Sequence, residues 1–211
     1  MASGPHRGQP LVSVNIFIEG GGDYEETKAA LRRGFGKLFE KIVPHGRRPR
    51  IAVCGGRDQT FKDFRNAPRQ TSFYNRFLLI VDSEGPINPG APVWAYLAGR
   101  DGWERPEGAA EADVHLMVQC MEAWFLADPG NLIGYYGEEF LRRSLPRRSN
   151  IEDISKGDVV KALDHATQGC QGKGAYHKTR HAPDLLERLD PKLLRTKSAF
   201  FGRLCRELGS E

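Results

Sequence analysis

Three carboxylates stand directly after apolar runs of the sequence, where together they could bind a metal ion. Glu19 ends the first run and precedes three glycines, and Asp82 and Glu84 follow the wholly apolar residues 77–81. If both runs are parallel strands, the acids share the carboxyl edge of the sheet, where open α/β sheets bind ligands. In an extended chain Asp82 and Glu84 would also point to the same side. Glu19, Asp82 and Glu84 are therefore predicted to hold a hard divalent cation, Mg²⁺ or Mn²⁺.

Two other interpretations of these segments stay open. Acids also end strands simply because strand ends meet solvent. The glycines at 20–22 could instead cradle a phosphate, although no Lys-Ser or Lys-Thr pair follows them as in a nucleotide-binding P-loop.

A basic cluster in the last fifth of the chain carries groups that bind phosphate. Lysine supplies a point charge and arginine a two-pronged donor. The predicted phosphate contacts are Lys173, Lys178, Arg180 and His181. A lysine of this cluster near a phosphate would also stabilise the negative charge that develops there. His177 or His181 would act as general acid or base near neutral pH. The alternative is a solvated loop.

Two further features each allow a functional interpretation and one without a functional role. Glu122 lies inside an apolar run, so it must be paired, exposed or ligating, and it is a candidate catalytic residue. A second basic cluster, suited to a polyanion such as nucleic acid or else a solvated surface, comprises Arg142, Arg143, Arg147 and Arg148.

Apolar periodicity places these residues on an α/β fold with a mainly parallel central sheet flanked by helices. The predicted strands are 11–18, 50–54, 77–81 and 114–119. The predicted helices are 25–42, 121–127, 156–167, 182–189 and 196–208, with a short helix or turn over 58–67 and a long loop over 86–112. The expected organisation is an α/β core over 11–128 and a helical C-terminal extension over 129–211, packed on the core as one compact unit.

The composition is consistent with a folded α/β protein. The chain has 211 residues, 39% hydrophobic, with 31 Lys+Arg against 27 Asp+Glu and a net charge of +4. No apolar run approaches the roughly 20 residues that cross a bilayer, and the first ten residues hold no apolar leader segment. The four cysteines are far apart, which disfavours a structural zinc site. We expect a cytoplasmic protein that does not bind membranes.

The motifs also carry a family resemblance. Glu19-Gly20 with Asp82-Ser83-Glu84 resembles the Toprim signature, a Glu followed by a DxD pair, with Glu84 standing where Asp is usual. Nearly the whole chain resembles domain-of-unknown-function family 4276, which is similar to RloB-like proteins and to nucleases of the overcoming-lysogenization-defect kind. The segments that carry this resemblance are 16–23, 32–35, 78–86, 101–106, 115–128 and 173–181.

The resemblance implies a Toprim-like core over 11–128 with a metal held by Glu19, Asp82 and Glu84. It also places Glu122 near the metal, as in a Glu-x-Trp element of related nucleases, and favours Lys178 as the principal basic residue. Family members look like accessories of an ATPase in prokaryotic defence or mobile loci.

Three functions follow from these observations. The first is a metal-dependent nuclease acting on DNA or RNA. The second is a non-catalytic Toprim-like module that docks on an ATPase partner, which the Glu84 departure favours. The third is a small-nucleotide phosphohydrolase that uses the glycines at 20–22 as a phosphate cradle.

Overall fold

The computed structural model describes residues 13–44, 48–68 and 75–209, and it has one four-stranded, wholly parallel sheet in the order β2-β1-β3-β4. The strands are β1 (Ser13–Glu19), β2 (Arg50–Gly55), β3 (Asn75–Asp82) and β4 (Val114–Met117). The predicted α/β class with a parallel sheet flanked by helices is confirmed, and the arrangement is consistent with a Toprim-like fold. Residues 11 and 12 of the first predicted strand lie outside the described residues.

Within the described residues, eight α-helices surround or extend the sheet. They are α1 (Glu25–Glu40), α2 (Arg57–Arg65), α3 (Val93–Asp101), α4 (Pro129–Tyr136), α5 (Lys156–Thr167), α6 (Lys178–Arg188), α7 (Pro191–Lys197) and α8 (Ala199–Glu207). Four 3₁₀ helices join them: Glu111–Asp113, Met121–Ala127, Arg142–Ser144 and Ile151–Asp153. None of the helices within the described residues has the length and apolar character needed to cross a membrane.

The order of the strands fixes where a ligand site can form. The chain goes from β1 to β2 on one side of β1 and then returns to β3 on its other side. The connections therefore reverse direction between β1 and β3, and a crevice opens beyond the carboxyl ends of strands at such a switch point. Glu19 ends β1 and Asp82 ends β3, so both acids flank this crevice.

The hydrophobic core joins the N-terminal and C-terminal parts of the chain. On one face of the sheet a single cluster includes Phe35, Trp124, Leu163, Leu185 and Phe201. The division into 11–128 and 129–211 stays a prediction, but the apolar interior is shared across it.

Helices α1 and α6 cross at close range within this core. At their crossing a Cβ on Gly34 would lie only 2.5 Å from the carbonyl oxygen of Pro183. Glycine is therefore the residue that permits this approach.

Several helix boundaries differ from the sequence-based expectation. The loop predicted over 86–112 contains α3, which lies between Pro92 at its N-cap and Gly102 in the left-handed region at its C-cap. The residues 121–127 form a 3₁₀ helix rather than an α-helix. Proline and glycine in these segments mark the ends of helices rather than their absence, since α4 likewise begins at Pro129 with Asp128 as its cap.

The boundaries of the C-terminal helices also differ from those predicted from the sequence. The helix predicted from residue 182 begins at Lys178 and contains Pro183. The helix predicted over 196–208 is divided into α7 and α8 at Ser198. The Ser198 hydroxyl accepts a hydrogen bond from the Phe201 N–H at 3.0 Å and donates one to Glu152 Oε1 at 2.6 Å. These bonds cap a new helix at a position where apolar periodicity alone suggests continuity.

One buried histidine lies in the sheet. His115 on β4 is 2% exposed and pairs with Ile80. Burial, with the positive charges of Arg203 and Arg76, lowers the pKa of His115 to about 3. Its ring is therefore neutral in the folded protein, where it belongs to the interior of the sheet.

This burial predicts acid sensitivity. The unfolded chain binds a proton at His115 near pH 6.5 while the folded chain does not, so the free energy of unfolding falls as pH drops below 6.5. We expect His115→Leu to reduce the loss of stability between pH 7 and pH 5 by ~2 kcal/mol in urea titrations. The exposed His165→Leu is the matched control, and an equal pH dependence in both variants would contradict the prediction.

Candidate metal centre

Three carboxylates converge at the crevice between β1 and β3. One oxygen from each of Glu19, Asp82 and Glu84 lies within 4.8 Å of the others. Asp82 is only 4% exposed, whereas Glu19 and Glu84 are half-buried. The three residues that the sequence singles out are thus brought together, and an all-oxygen donor set of this kind is what hard divalent cations prefer.

Glu84 reaches the cluster through a turn rather than an extended strand. Its φ of 61° lies in the left-handed region, as does the φ of 65° at Gln119. The two segments hold each other, because the Glu84 N–H donates to the Gln119 carbonyl at 3.1 Å and the Gln119 N–H donates to Ser83 Oγ at 2.7 Å. The expected extended geometry is therefore wrong, and two non-glycine residues adopt costly backbone conformations beside the carboxylates, as residues at functional sites often do.

Asp82 is fixed by the backbone of the following 3₁₀ helix. The Met121 N–H donates to Asp82 Oδ1 at 2.8 Å, while Oδ2 lies 3.9 Å from Lys178 Nζ. Burial raises the pKa of Asp82 to about 7; Lys178 opposes this rise, and the neighbouring carboxylates add to it. Asp82 is therefore a desolvated group whose negative charge a bound cation would stabilise.

Arg57 at the start of α2 holds the other side of the cluster. Its Nη1 lies 3.1 Å from Glu19 Oε2 and also donates to the Asp82 carbonyl. Its remaining nitrogens donate to both oxygens of Asp101 at 2.9 and 2.7 Å, and its guanidinium lies 4.8 Å from the centre of the Trp103 ring. Arg57 is thus a rigid part of the site.

Glu19 is held by both its neighbours. Besides Arg57, its Oε2 accepts the Asp82 N–H at 3.2 Å. Burial raises the pKa of Glu19, and the charge of Arg57 only partly offsets this. Arg57 was not among the residues predicted from the sequence, although it stands directly after Gly55-Gly56 at the end of a strand, where ligand-binding residues are expected.

Lys156 pairs with the third carboxylate. Its Nζ lies 2.6 Å from both carboxylate oxygens of Glu84. Burial alone would lower the pKa of Lys156, but the hydrogen bond to Glu84 and the charges of Glu84 and Asp82 raise it. The residue lies 72 positions from Glu84 in the sequence, and no local pattern distinguished it.

Lys178 bridges the carboxylate cluster and a fourth acid. Its Nζ lies 3.2 Å from Glu122 Oε1 and 3.9 Å from Asp82 Oδ2. Burial would lower the pKa of Lys178, but the charges of Asp82 and Glu122 raise it. Glu122 also accepts a hydrogen bond from the Tyr176 hydroxyl at 3.3 Å. Glu122 therefore stands outside the three-carboxylate group and holds Lys178 in place.

The other predicted basic residues lie elsewhere. Lys173 lies 4.5 Å from the centre of the Tyr135 ring, and Arg180 is exposed. His177 is exposed, and its Nδ1 is 3.2 Å from the Thr179 hydroxyl rather than near the carboxylates. Of the predicted basic group, Lys178 is the residue with described contacts to the carboxylates.

The structure gives His181 a different role from the predicted phosphate contact. Its ring is 2% exposed among Tyr135, Tyr136 and Tyr176. Its Nδ1 lies 2.9 Å from the Tyr136 hydroxyl and accepts the His177 N–H at 3.1 Å. Burial lowers the pKa of His181, with Arg180 acting in the same direction. A buried ring that anchors the start of α6 does not present itself to a phosphate.

A cavity of about 270 Å³ adjoins the cluster. It lies at the glycine turn after β1, and its walls comprise Gly20, Gly21, Gly22, Thr27, Leu31, Met121, Lys178, Thr179 and Pro183. Lys178 borders both this cavity and the carboxylates, so a molecule in the cavity would lie next to the cluster.

The electrostatics of the cluster predict that it destabilises the metal-free protein. The pKa of Asp82 is about 7 when folded against 3.8 as a model group, so stability falls as pH rises between these values and the loss is complete above pH 7. In EDTA we expect Asp82→Asn to raise Tm by ~5 °C or more at pH 8 and by less at pH 5. The measurement is thermal unfolding, with the exposed Asp164→Asn as control.

The comparisons with known proteins complete this description. No curated protein and no solved structure matches the chain. A family model, described as a domain of unknown function (DUF4276), matches residues 18–209, so it includes all three carboxylates and all three cations of the site. The chain therefore belongs to this family, DUF4276.

Proposed function

We propose that the protein is a metal-dependent phosphodiesterase that hydrolyses DNA or RNA. The observation that carries the proposal is the convergence of Glu19, Asp82 and Glu84 within 4.8 Å at the switch point of a parallel sheet. Lys178 beside them supplies a positive charge of the kind that binds phosphate. Mg²⁺ or Mn²⁺ held by these carboxylates would polarise the phosphate and activate water for its attack.

The chain's own residues have distinct roles in this proposal. Lys178 stabilises negative charge on the phosphate oxygens as it develops. Glu122 and Tyr176 position Lys178, because Glu122 contacts Lys178 and accepts from the Tyr176 hydroxyl. Arg57 fixes Glu19 and is itself held by Asp101.

We also propose a biological setting for this activity. The resemblance of Glu19 and Asp82-Ser83-Glu84 to the Toprim signature supports a relation to Toprim and RloB-like nucleases. On that basis we propose that the protein serves as an effector or accessory of an ATPase in a prokaryotic defence or mobile-element system.

A non-catalytic docking module is the second candidate. The contact that favours it is the pairing of Lys156 with both oxygens of Glu84, because an ammonium group there neutralises the carboxylate without a metal. In this alternative the cluster is a vestigial metal site and the domain acts by binding its partner. The cavity of about 270 Å³ at the glycine turn keeps a small-nucleotide phosphohydrolase as a third outcome of the test.

The decisive experiment measures cleavage directly. End-labelled single-stranded and duplex DNA and RNA are incubated with the protein in Mn²⁺, Mg²⁺ or EDTA. We expect metal-dependent cleavage that falls by ~10³-fold or more in Asp82→Asn, because the variant lacks a charged ligand at the centre of the cluster. Asp164→Asn, an exposed change of the same type, should cleave normally.

The outcomes separate the three candidates. Cleavage that survives in Asp82→Asn would exclude the proposed site. Absence of cleavage of any polymer by folded protein would favour the docking module, and turnover of free nucleotides alone would favour the phosphohydrolase.

A second prediction concerns Lys156. A divalent cation must compete with its ammonium group for Glu84, so we expect Lys156→Gln to bind Mn²⁺ more tightly. Mn²⁺ should therefore raise Tm more in this variant than in the wild type at equal concentration. Lys161→Gln, an exposed lysine on the same helix, is the matched control. An unchanged Mn²⁺ response in Lys156→Gln would mean that Glu84 is not a ligand.

A further inference from the structure

A second concave site lies beside the short helices of the C-terminal part. It is a pocket of about 580 Å³ with an apolar wall and four cationic side chains. The apolar wall consists of Leu126, Pro129, Leu145 and Pro146, and the cations are Arg142, Arg147, Arg148 and Lys197. The lining residues include no acid.

The four cations of the pocket form no ion pair with any residue that the structure describes. Within the described part of the chain, no carboxylate lies within ion-pair distance of any of them. This contrasts with Arg57, Lys156 and Lys178, each of which contacts a carboxylate. Four positive charges around one concavity repel one another, and an anionic ligand would offset that repulsion.

The chemistry of the lining side chains favours phosphate groups as the anionic ligand of the pocket. Arginine presents a planar fork that donates two hydrogen bonds to one phosphate group, and three of the four cations are arginines. The pocket is wide enough for more than one phosphate, and its apolar wall can contact the sugars between them. Arg143, on the same 3₁₀ helix as Arg142, does not line the pocket.

The pocket is connected to the carboxylate cluster by one rigid element. The 3₁₀ helix Met121–Ala127 begins with the residue whose N–H holds Asp82, and Leu126 of the same helix lines the pocket. At ~2 Å per residue, five residues of 3₁₀ helix span ~10 Å. In a B-form duplex each nucleotide of a strand advances ~3.4 Å along the helix axis, so the pocket and the cluster lie a few nucleotides apart along one strand.

We propose that this arginine pocket binds backbone phosphates of the nucleic acid a few nucleotides from the phosphate at the carboxylate cluster. The inference rests on the proposed function, in that it takes the substrate to be a nucleic-acid strand. It assigns the C-terminal part of the chain a share in holding that strand. The contacts are to phosphate, so the pocket contributes affinity and position without selecting a sequence.

The test measures binding without cleavage. Fluorescence anisotropy in EDTA gives the affinity of the full chain for labelled 12-nucleotide single-stranded DNA and RNA over a range of salt concentrations. We expect the double variant Arg147→Gln/Arg148→Gln to bind about tenfold more weakly or worse, and the slope of log K against log salt to fall by ~1.4, or ~0.7 for each lost contact. The matched control is Arg105→Gln/Arg143→Gln, which removes two exposed arginines outside the pocket.

The following results would overturn the proposal that the pocket binds strand phosphates. If the two double variants lose the same affinity for the strand, the loss reflects net charge alone and the proposal is wrong. The proposal is also wrong if the wild-type protein binds neither single-stranded DNA nor RNA. Pyrophosphate and ATP are titrated separately by calorimetry. If they bind wild type but not the pocket variant, and strand affinity is the same in both, the pocket holds a free phosphorylated molecule and the proposal is wrong.

The same assay separates this inference from the proposed catalysis. Asp82→Asn retains the arginine pocket, so it should bind the strand at least as well as wild type. Strand binding that depends on Arg147 and Arg148, in a protein that cleaves nothing, would support the pocket while excluding the nuclease.

Discussion

The buried carboxylate of Asp82 is the constraint on which the site depends. It lies at the end of the central strand β3, 4% exposed, with Glu19 and Glu84 close by. A desolvated carboxylate beside two others is unfavourable unless positive charge or hydrogen bonds compensate it. The Met121 N–H and Lys178 supply part of that compensation, yet burial still raises the pKa of Asp82 to about 7. This uncompensated negative charge is the physical basis for the cation that we propose at the cluster.

The three cations around the cluster differ in how firmly they are held. Arg57 is fixed by both oxygens of Asp101 and by the Trp103 ring, so it acts as a permanent part of the framework. Lys156 and Lys178 are partly exposed and end in flexible ammonium groups. In the proposed function both lysines would yield their carboxylate to the metal ion, and Lys178 would contact the phosphate. The cluster therefore combines a rigid side at Arg57 with an adaptable side at the two lysines.

The sequence was sufficient to predict the sheet and the convergence of the acids, because both depend on local patterns. Apolar runs define β1 and β3, and parallel strands bring their carboxyl ends to one edge. The turn at Glu84 was not predictable, since its left-handed backbone depends on hydrogen bonds with Gln119 from another segment. The pairing of Lys156 with Glu84 and the burial of His181 depend likewise on tertiary packing. Arg57, by contrast, could have been predicted from the sequence, because it follows the Gly55-Gly56 turn at the carboxyl end of a strand, where the crevice lies.

The C-terminal part of the chain completes the site rather than merely covering the core. All three acids of the cluster precede residue 85, whereas Lys156 and Lys178 come from α5 and α6. Helix α6 is held against α1 at the close contact between Gly34 and Pro183, and its first residue is Lys178. Without this packing the cluster would retain Arg57 alone and its repulsion would be largely uncompensated. The same part of the chain contributes all four cations of the arginine pocket. The α/β core thus supplies the negative charge, and the helical part supplies most of the positive charge that a phosphate-bearing ligand would meet.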